Sequence, residues 1–338
     1  MEEPILRIQK LGFPWVTQDP FLFCVHHLDY YPKGNDKLGP DASLHGRNLG
    51  NDFVIKDGWR MYHGTEIPGF PVHPHRGFET ITFVTKGMVD HSDSNGAAGR
   101  YGERDVQWMT AGSGLQHSEM FPLLKKNETN TLELFQIWLN LPGEKKFVKP
   151  AYKMLWGEEI PIIELADENH KKTSVDIIAG KIGNISAPEP TPDSWACNDE
   201  NEVAIWQITM DENASWKIPV SKEKINRTLY FFEGDVIHLN NKKVESNHLL
   251  ELDSTQEITI HNGNISGRLL LLQGKPINEP VVQYGPFVMN SEQEIKQAFS
   301  DYKKTQFGGW PWPETGMVHG RERGRFAKME NGEEIQKD

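Results

Sequence analysis

The feature that most constrains the fold is the character of the apolar runs, which are short and rich in β-branched and aromatic residues. Gly, Asn, Asp and Pro separate these runs, as is typical of turns between strands. The pattern predicts a sandwich or barrel of short strands, and it disfavours strands that alternate with long helices. The clearest runs are residues 80–86, 132–139, 203–209, 228–232, 257–260 and 268–272.

One helix is predicted near the C-terminus. Ser291 and Glu294 have the spacing of a capping box, and a single apolar stripe with helical periodicity follows them. Gly308 and Gly309 are expected to end the helix. The expected fold class is therefore all-β with a C-terminal helix.

The length of the chain favours two domains, because 338 residues exceed the usual size of a single hydrophobic core. Residues 76–87 (RGFETITFVTKG) and 227–234 (RTLYFFEG) also share a pattern, a strand that leads to a turn glycine. We predict an N-terminal domain over residues 1–150, a second domain over 151–310 and a tail over 311–338. The joint is placed in the stretch LPGEKKFVKP, and the tail after Pro313 is expected to be dispensable for folding.

Charge and cysteine content narrow the class of function. A formal net charge of −12 disfavours binding to nucleic acid, because phosphate backbones are repelled. Cys24 and Cys197 imply no disulfide framework, which fits a reducing compartment. The opening MEEPILRIQK does not read as a signal peptide, and no apolar run approaches the roughly 20 residues of a membrane helix. We expect a cytoplasmic protein that does not bind membranes.

The strongest functional signal is a pair of short ligand-rich segments, His73-Pro74-His75 and His117-Ser118-Glu119. Side chains at i and i+2 of a strand point to the same face, so each segment can present two ligands together. Pro74 is tolerated only at a strand start, an edge or a bulge, which suits the rim of a barrel. We predict a metal site formed by His73, His75, His117 and Glu119.

The ligand types leave the metal open. Three imidazoles and a carboxylate suit Fe, Mn, Co, Ni, Cu or Zn. A six-coordinate iron would keep two positions for water, substrate or oxygen. A divalent ion bound by the Glu119 carboxylate would keep a net positive charge, which favours an anionic ligand. His91 lies in the charged run DHSD and is predicted to lie on the surface, and His261 has no ligand-type residue at i+2.

At these residues the sequence resembles the pirin family, a branch of the bicupin superfamily. The matching text is HPHRGFETITFVTKG (73–87), DVQWMTAGSGLQHSEMFP (105–122), VVQYGPFVMN (281–290) and DPFLF (19–23). The resemblance implies two cupin β-barrels that face each other, with Fe²⁺ in the N-terminal barrel only. The family's ligands map onto the same four residues. At the position of Glu79 many other cupins have a carboxylate ligand, but in pirins it is not a ligand.

The resemblance also implies an activity. Several pirins resemble quercetin 2,3-dioxygenases, so the expected substrates are a flavonol or related phenolic and O₂. Glu119 is the catalytic candidate, because a carboxylate beside a metal can also accept a proton. Gln107, Trp108 and Met109 are candidate wall residues, with Trp108 and Met109 better explained as buried core.

Two further functions stay open. The alternative to an enzyme is a regulator that acts through protein partners, with the oxidation state of the iron as the signal. In a third possibility the metal only stabilises the fold.

The segment 30–70 and the chain after Trp310 look longer than in typical pirins. The segment 30–70 is expected either to cover the site or to be a passive surface loop.

Overall fold

The computed structural model describes residues 4–337, and strands dominate this part of the chain. The first strands are β1 (Ile5–Lys10), β2 (Phe21–Tyr31), β3 (Gly69–His75), β4 (Phe78–Lys86), β5 (Met88–Asp93), β6 (Ala98–Gly102), β7 (Val106–Thr110), β8 (Leu115–Met120), β9 (Asn130–Asn140) and β10 (Ala151–Leu155). They are followed by β11 (Ile162–Ala166), β12 (Lys172–Ala179), β13 (Lys181–Ile182), β14 (Ile185–Ser186), β15 (Ala204–Met210), β16 (Ser215–Ile218), β17 (Asn226–Glu233) and β18 (Val236–Leu239). The remaining strands are β19 (Lys242–Glu245), β20 (His248–Leu252), β21 (Ile258–Asn262), β22 (Gly267–Gly274), β23 (Val282–Tyr284), β24 (Phe287–Met289), β25 (Phe326–Lys328) and β26 (Glu334–Gln336).

The predicted strands and the predicted helix are confirmed. Each of the six apolar runs lies in or overlaps a strand, namely β4, β9, β15, β17, β21 and β22. The helix, α1 (Glu292–Thr305), begins after Ser291, whose hydroxyl oxygen accepts a hydrogen bond from the Glu294 backbone N–H. Short 3₁₀ turns lie at Gly143–Lys145, Trp195–Cys197, Asp199–Asn201 and Gln306–Gly308. Among the described residues, no helix is long and apolar enough to cross a membrane.

The chain divides into two compact units. One, the histidine unit, contains His26–Gly157 and the chain from Glu279 onward, and the other, the second unit, contains the chain up to Val25 together with Glu158–Asn278. These limits differ from the predicted division at residues 150 and 310. The reason is pairing between distant segments, since β1 pairs with β20 and β25 pairs with β6. The predicted joint LPGEKKFVKP lies inside the histidine unit.

Two antiparallel sheets form most of the histidine unit. One has the strand order β10-β7-β4-β9-β2, and the other has the order β26-β25-β6-β5-β8-β3. Residues alternate between the two faces of β4, with Ile81 and Phe83 on one face and Thr80 and Thr82 on the other. The strands β3 and β8, which carry the predicted metal ligands, are neighbours in the second sheet.

The second unit has a different interior. It contains a sheet ordered β1-β20-β17-β22-β15-β12-β11 and a smaller sheet ordered β16-β21-β18-β19. Buried apolar side chains from both sheets form one cluster, which includes Trp206, Leu229, Ile260 and Leu271. His261 is exposed, and its Nδ1 lies 2.7 Å from Ser215 Oγ. The expectation that this half binds no metal stays a prediction.

The predicted tail is part of the histidine unit, because its residues enter the six-stranded sheet. Strand β25 pairs with β6, with Phe326 opposite Arg100. The Arg100 guanidinium binds both carboxylate oxygens of Asp90 at 2.7 and 2.8 Å and donates to the carbonyl oxygen of His319 at 2.8 Å. Arg325 forms a buried ion pair of 2.8 Å with Asp105. These contacts oppose the expectation that the tail is dispensable for folding.

Candidate metal centre

The pairing of β3 with β8 brings the two ligand segments together. His73 lies directly opposite His117, and Phe70 lies opposite Glu119. His117 and Glu119 are two positions apart along the chain, whereas Phe70 and His73 are three positions apart, so β3 contains a bulge between these pairs. The bulge corrects the register, because residues three apart would otherwise face opposite sides of the sheet.

The three histidines converge on one point. Their potential ligand atoms all lie within 4.8 Å of one another. His73 Nε2 is 3.0 Å from His117 Nε2, and the His75 ring centroid is 4.9 Å from that of His117. Glu119 lies beside this group, with its Oε2 at 3.6 Å from His117 Nε2. The structure therefore brings all four predicted ligands into one place.

Backbone carbonyls orient two of the imidazoles. His73 Nδ1 donates to the carbonyl oxygen of Pro71 at 2.9 Å, and His75 Nδ1 makes a longer contact of 3.4 Å with that of Pro286. A carbonyl only accepts, so these Nδ1 atoms carry the protons and each Nε2 keeps a lone pair. Holding the tautomer in this way is typical of metal-binding histidines.

Burial keeps the imidazoles neutral. Desolvation lowers the pKa of His73 to about 4, and a backbone hydrogen bond to Pro71 only partly opposes it. Burial also lowers the pKa of His75 and of His117 well below the ordinary value, and the neighbouring histidines lower both further. Neutral imidazoles with inward lone pairs fit a divalent transition metal.

Glu119 supplies the one carboxylate of the group. Burial raises its pKa, while the nearby His91 and a hydrogen bond from Thr82 act in the opposite direction. The Thr82 hydroxyl lies 2.9 Å from Glu119 Oε1, which leaves Oε2 on the side of His117. A buried carboxylate beside neutral imidazoles has a charge that a bound cation would balance, so the donor set fits the predicted metal.

The candidate wall residues divide between two faces of β7. Gln107 lies opposite Thr82 and therefore shares its face, and both polar atoms of the Gln107 side chain are buried without a hydrogen-bond partner among the described residues. Trp108 faces the other way, where its Nε1 donates to Glu79 Oε1 at 3.2 Å. Thr110 donates to the same oxygen at 2.7 Å. Glu79 thus lies on the face of its strand that points away from Thr82, outside the histidine group.

His91 was predicted on the surface, and this prediction was wrong. The residue is fully buried, because β5 pairs with β8 and places His91 opposite Glu119 and Asp93 opposite His117. Directly opposed residues of antiparallel strands share a face, so His91 and Asp93 point to the same side as the ligands. The signal was present in the sequence, since His91-Ser92-Asp93 has the same i, i+2 spacing as the two ligand segments.

The histidine group opens toward an aromatic surface. His73 is partly exposed, whereas His75 and His117 are buried. We call Phe53 and Phe70 the aromatic lip. The Phe70 ring centroid lies 6.3 Å from that of His73 and 6.2 Å from that of Phe53. The long segment around residues 30–70 therefore reaches the neighbourhood of the candidate metal centre.

A buried polar network anchors the segment that carries the lip. The Arg60 guanidinium binds Asp29 through two hydrogen bonds of 2.9 and 3.0 Å, and the Tyr62 hydroxyl donates to Asp29 at 2.6 Å. His27 Nδ1 lies 2.8 Å from the same hydroxyl. Tyr62 has a φ of 57°, an unfavourable value for a residue with a side chain, and its ring packs on Phe70 at 5.1 Å.

Comparison with family models supports the resemblance seen in the sequence. Residues 35–139 match the family model described as Pirin, and residues 205–308 match the one described as Pirin C-terminal cupin domain. Pirin-1 from Arabidopsis thaliana is 38% identical over 245 residues, which cover 71% of this chain and 78% of that protein. A Pseudomonas aeruginosa protein named "Putative quercetin 2,3-dioxygenase" is 34% identical over 239 residues, which cover 71% of this chain and 79% of the relative.

A solved structure shows the same fold. The crystal structure of quercetin 2,3-dioxygenase from Acinetobacter baumannii superposes with a TM-score of 0.69 at 24% sequence identity. The superposition covers 90% of this chain and 98% of that one. Together with the two family models, it confirms the predicted all-β architecture of two cupin domains with a C-terminal helix.

Proposed function

Because this chain belongs to the pirin family, we propose that it is a metal-dependent dioxygenase that acts on a flavonol or a related phenolic compound. The observation that carries the proposal is the convergence of three neutral histidines beside a buried carboxylate, next to a partly exposed aromatic surface. Relatives at 34% identity with names of the quercetin dioxygenase type support the same class of reaction.

We assign the metal to His73, His75, His117 and Glu119, and Fe²⁺ is the proposed ion. The donor set also suits Mn, Ni, Co, Cu and Zn, so metal identity is part of the test. When bound, the ion supplies a Lewis acid for a phenolic oxygen and a redox partner for O₂. The neutral imidazoles leave most of the positive charge uncompensated, which favours a substrate that binds as an anion.

The protein's own groups would position the substrate. The Phe53 and Phe70 rings offer apolar surface on which a planar aromatic ring can pack. The buried Gln107 amide has a free donor and a free acceptor, the groups that recognise phenolic hydroxyl and carbonyl oxygens. Glu119 is the candidate proton acceptor, because its carboxylate lies within the ligand group and is held by Thr82.

The test measures oxygen consumption and carbon monoxide release. The purified protein is loaded with Fe²⁺ without air, mixed with quercetin and then exposed to O₂, beside His117→Ala and His261→Ala. We expect iron-dependent oxygen uptake together with carbon monoxide release. Both should be lost in His117→Ala and kept in His261→Ala. Parallel loading with the other five metals identifies the active ion.

Two results would contradict parts of the proposal. Retention of stoichiometric metal by His117→Ala would remove this residue from the ligand set. Full iron binding without turnover of quercetin or of a panel of phenolics would contradict the enzyme assignment. It would favour the regulator that acts through protein partners, and a search for partners that bind only one oxidation state would follow.

A further inference from the structure

A fourth buried imidazole, that of His91, lies beside the candidate metal centre. Its ring centroid is 5.5 Å from that of His117, and its backbone position on β5 is opposite Glu119 on β8. The ring stacks on Tyr152 at 5.0 Å with an interplanar angle of 18°. Its potential ligand atoms are outside the group formed by the other three histidines. His91 is therefore fixed next to the three-histidine group without being part of it.

Glycine at position 99 makes this stacking possible. Gly99 lies opposite His91 on the neighbouring strand β6. A Cβ atom at this position would lie 2.6 Å from the Tyr152 hydroxyl oxygen, closer than any real contact. The absence of a side chain lets Tyr152 lie flat on the imidazole and hold its orientation.

Asp93 determines which nitrogen of His91 carries the proton. Asp93 Oδ1 accepts hydrogen bonds from the backbone N–H groups of Asn95 and Ala97 at 2.9 and 3.0 Å. Its other oxygen, Oδ2, lies 3.4 Å from His91 Nε2. An ionised carboxylate can only accept hydrogen bonds, so His91 Nε2 must be the donor in its contact with Asp93. The proton of the neutral imidazole therefore lies on Nε2. The Nδ1 atom then keeps a lone pair.

That lone pair has no partner among the residues that the structure describes. His91 is fully buried, and its Nδ1 forms no hydrogen bond with any described residue. A buried acceptor without a donor is unfavourable, so a donor is expected when the site is loaded. The three-histidine group lies on the same side of the sheet as His91, so a water or hydroxyl bound to a metal there would be a donor within the same buried region.

We propose that His91 Nδ1 accepts a hydrogen bond from a water bound at the metal centre in the resting protein. His91 is thus a positioning residue, oriented by Asp93 and Tyr152, that holds this water against displacement by a ligand that has no hydrogen to donate to Nδ1. The inference rests on the proposed metal centre. It does not depend on which substrate is turned over.

The test uses azide, an anion that accepts hydrogen bonds but has no hydrogen to donate. The full chain is loaded with Co²⁺, and azide binding is followed through the visible spectrum of the metal. Azide must displace a water that donates to Nδ1 and then face the lone pair, so the wild type should bind azide weakly. His91→Phe keeps the ring on Tyr152 and removes the lone pair, and its azide affinity should rise about fivefold, which is about 1 kcal/mol.

Two more variants separate the nitrogen atoms of His91. His91→Asn places an amide oxygen near the position of Nδ1, so its azide affinity should stay close to the wild-type value. His91→Gln can still donate to Asp93 but offers no acceptor at Nδ1, so it should follow His91→Phe. The pair also keeps the test decisive if the Phe variant fails to fold.

The outcomes that overturn the proposal are distinct from failure of the proposed enzyme. Equal azide affinity in all four proteins would show that Nδ1 does not contact the exchangeable ligand, and weaker binding in His91→Phe would show that His91 donates. A wild type that binds no Co²⁺ would overturn the metal centre and this proposal together. A protein that shows the azide pattern but no flavonol turnover would contradict only the dioxygenase assignment.

Discussion

The Thr82 hydroxyl oxygen lies 2.9 Å from Glu119 Oε1 and 2.7 Å from Gln136 Oε1, so one side chain joins the carboxylate at the candidate metal centre to two strands of the opposite sheet. This contact fixes one carboxylate oxygen and leaves the other beside His117. Groups that orient a metal ligand in this way contribute strongly to metal affinity, although they do not touch the ion.

Thr82→Val should therefore weaken metal binding by roughly tenfold, because the Glu119 carboxylate loses its hydrogen-bond donor. The measurement is a competition titration of Fe²⁺ or Zn²⁺ with a chelator of known affinity. Thr80→Val is the matched control. Thr80 lies on the same face of β4, and its hydroxyl is buried without a described hydrogen-bond partner, so the substitution should leave metal affinity unchanged. Equal affinities in both variants would remove Thr82 from the ligand support.

Lys146 should give the stability of the protein a distinctive pH dependence. Its ammonium group donates to the carbonyl oxygens of Gly77 and Val288 at 2.8 and 3.2 Å and to Asn140 Oδ1 at 2.8 Å. Burial lowers its pKa to about 8, below the ordinary value of 10.5. Between these values the unfolded chain binds more protons than the folded one, so this group's contribution to stability rises with pH.

The expected rise across pH 8 to 10.5 is at most roughly 3 kcal/mol in the free energy of unfolding. The difference between wild type and Lys146→Met, measured by urea unfolding at several pH values, should increase through this range. Lys149→Met is the control, because its exposed side chain pairs with Glu330 at the surface. A difference that stays constant with pH would contradict the lowered pKa of Lys146.

Phe326 should be needed for the stability of the histidine unit. The side chain is 1% exposed, and its ring meets that of His319 edge-on at 4.8 Å. Phe326→Ala should cost about 3–5 kcal/mol, as is usual for a buried aromatic side chain. Ile335→Ala, at an exposed position of β26, should cost less than about 0.5 kcal/mol. Similar thermal unfolding of both variants would restore the view that this part of the chain is a dispensable tail.

The aromatic lip predicts a change in ligand binding without a change in metal content. Phe53→Ala should weaken binding of quercetin to the Zn²⁺-loaded protein by roughly 2–12-fold, the range expected for loss of one aromatic contact. Binding is measured by the shift of the quercetin absorption band, and zinc by elemental analysis. Val54→Ser is the control, because Val54 is the neighbouring residue and its side chain is 77% exposed. Equal binding by both variants would place the ligand elsewhere.

The predicted ligands that the structure brings together were found from local geometry. His73 and His75, like His117 and Glu119, are two residues apart, and the periodicity of a strand alone places each pair on one face. The capping box of α1 is local in the same sense, because Ser291 and Glu294 are close along the chain. Such features need no knowledge of how distant segments pair.

The differences between the sequence-based expectations and the structure all involve distant pairing. His91 is buried by β8, and a charged run read by itself gives no sign of that partner. Lys146 lies in a stretch rich in Pro, Gly and charge that is typical of a linker, but its hydrogen-bond acceptors include Gly77 and Val288. The last strands join a sheet formed more than two hundred residues earlier, at Arg100 and its neighbours. Register between such segments cannot be inferred from composition.

The bulge in β3 has a consequence for how this site can diversify. It lies between Phe70, which belongs to the lip, and His73, the first of the candidate ligands. Because the bulge absorbs one residue of register, it separates the register of the lip from the register of His73 and His75. The sequence of the lip can therefore vary while both histidines keep facing the same side of the sheet. Proteins that share these four candidate ligands can then differ in the surface beside them.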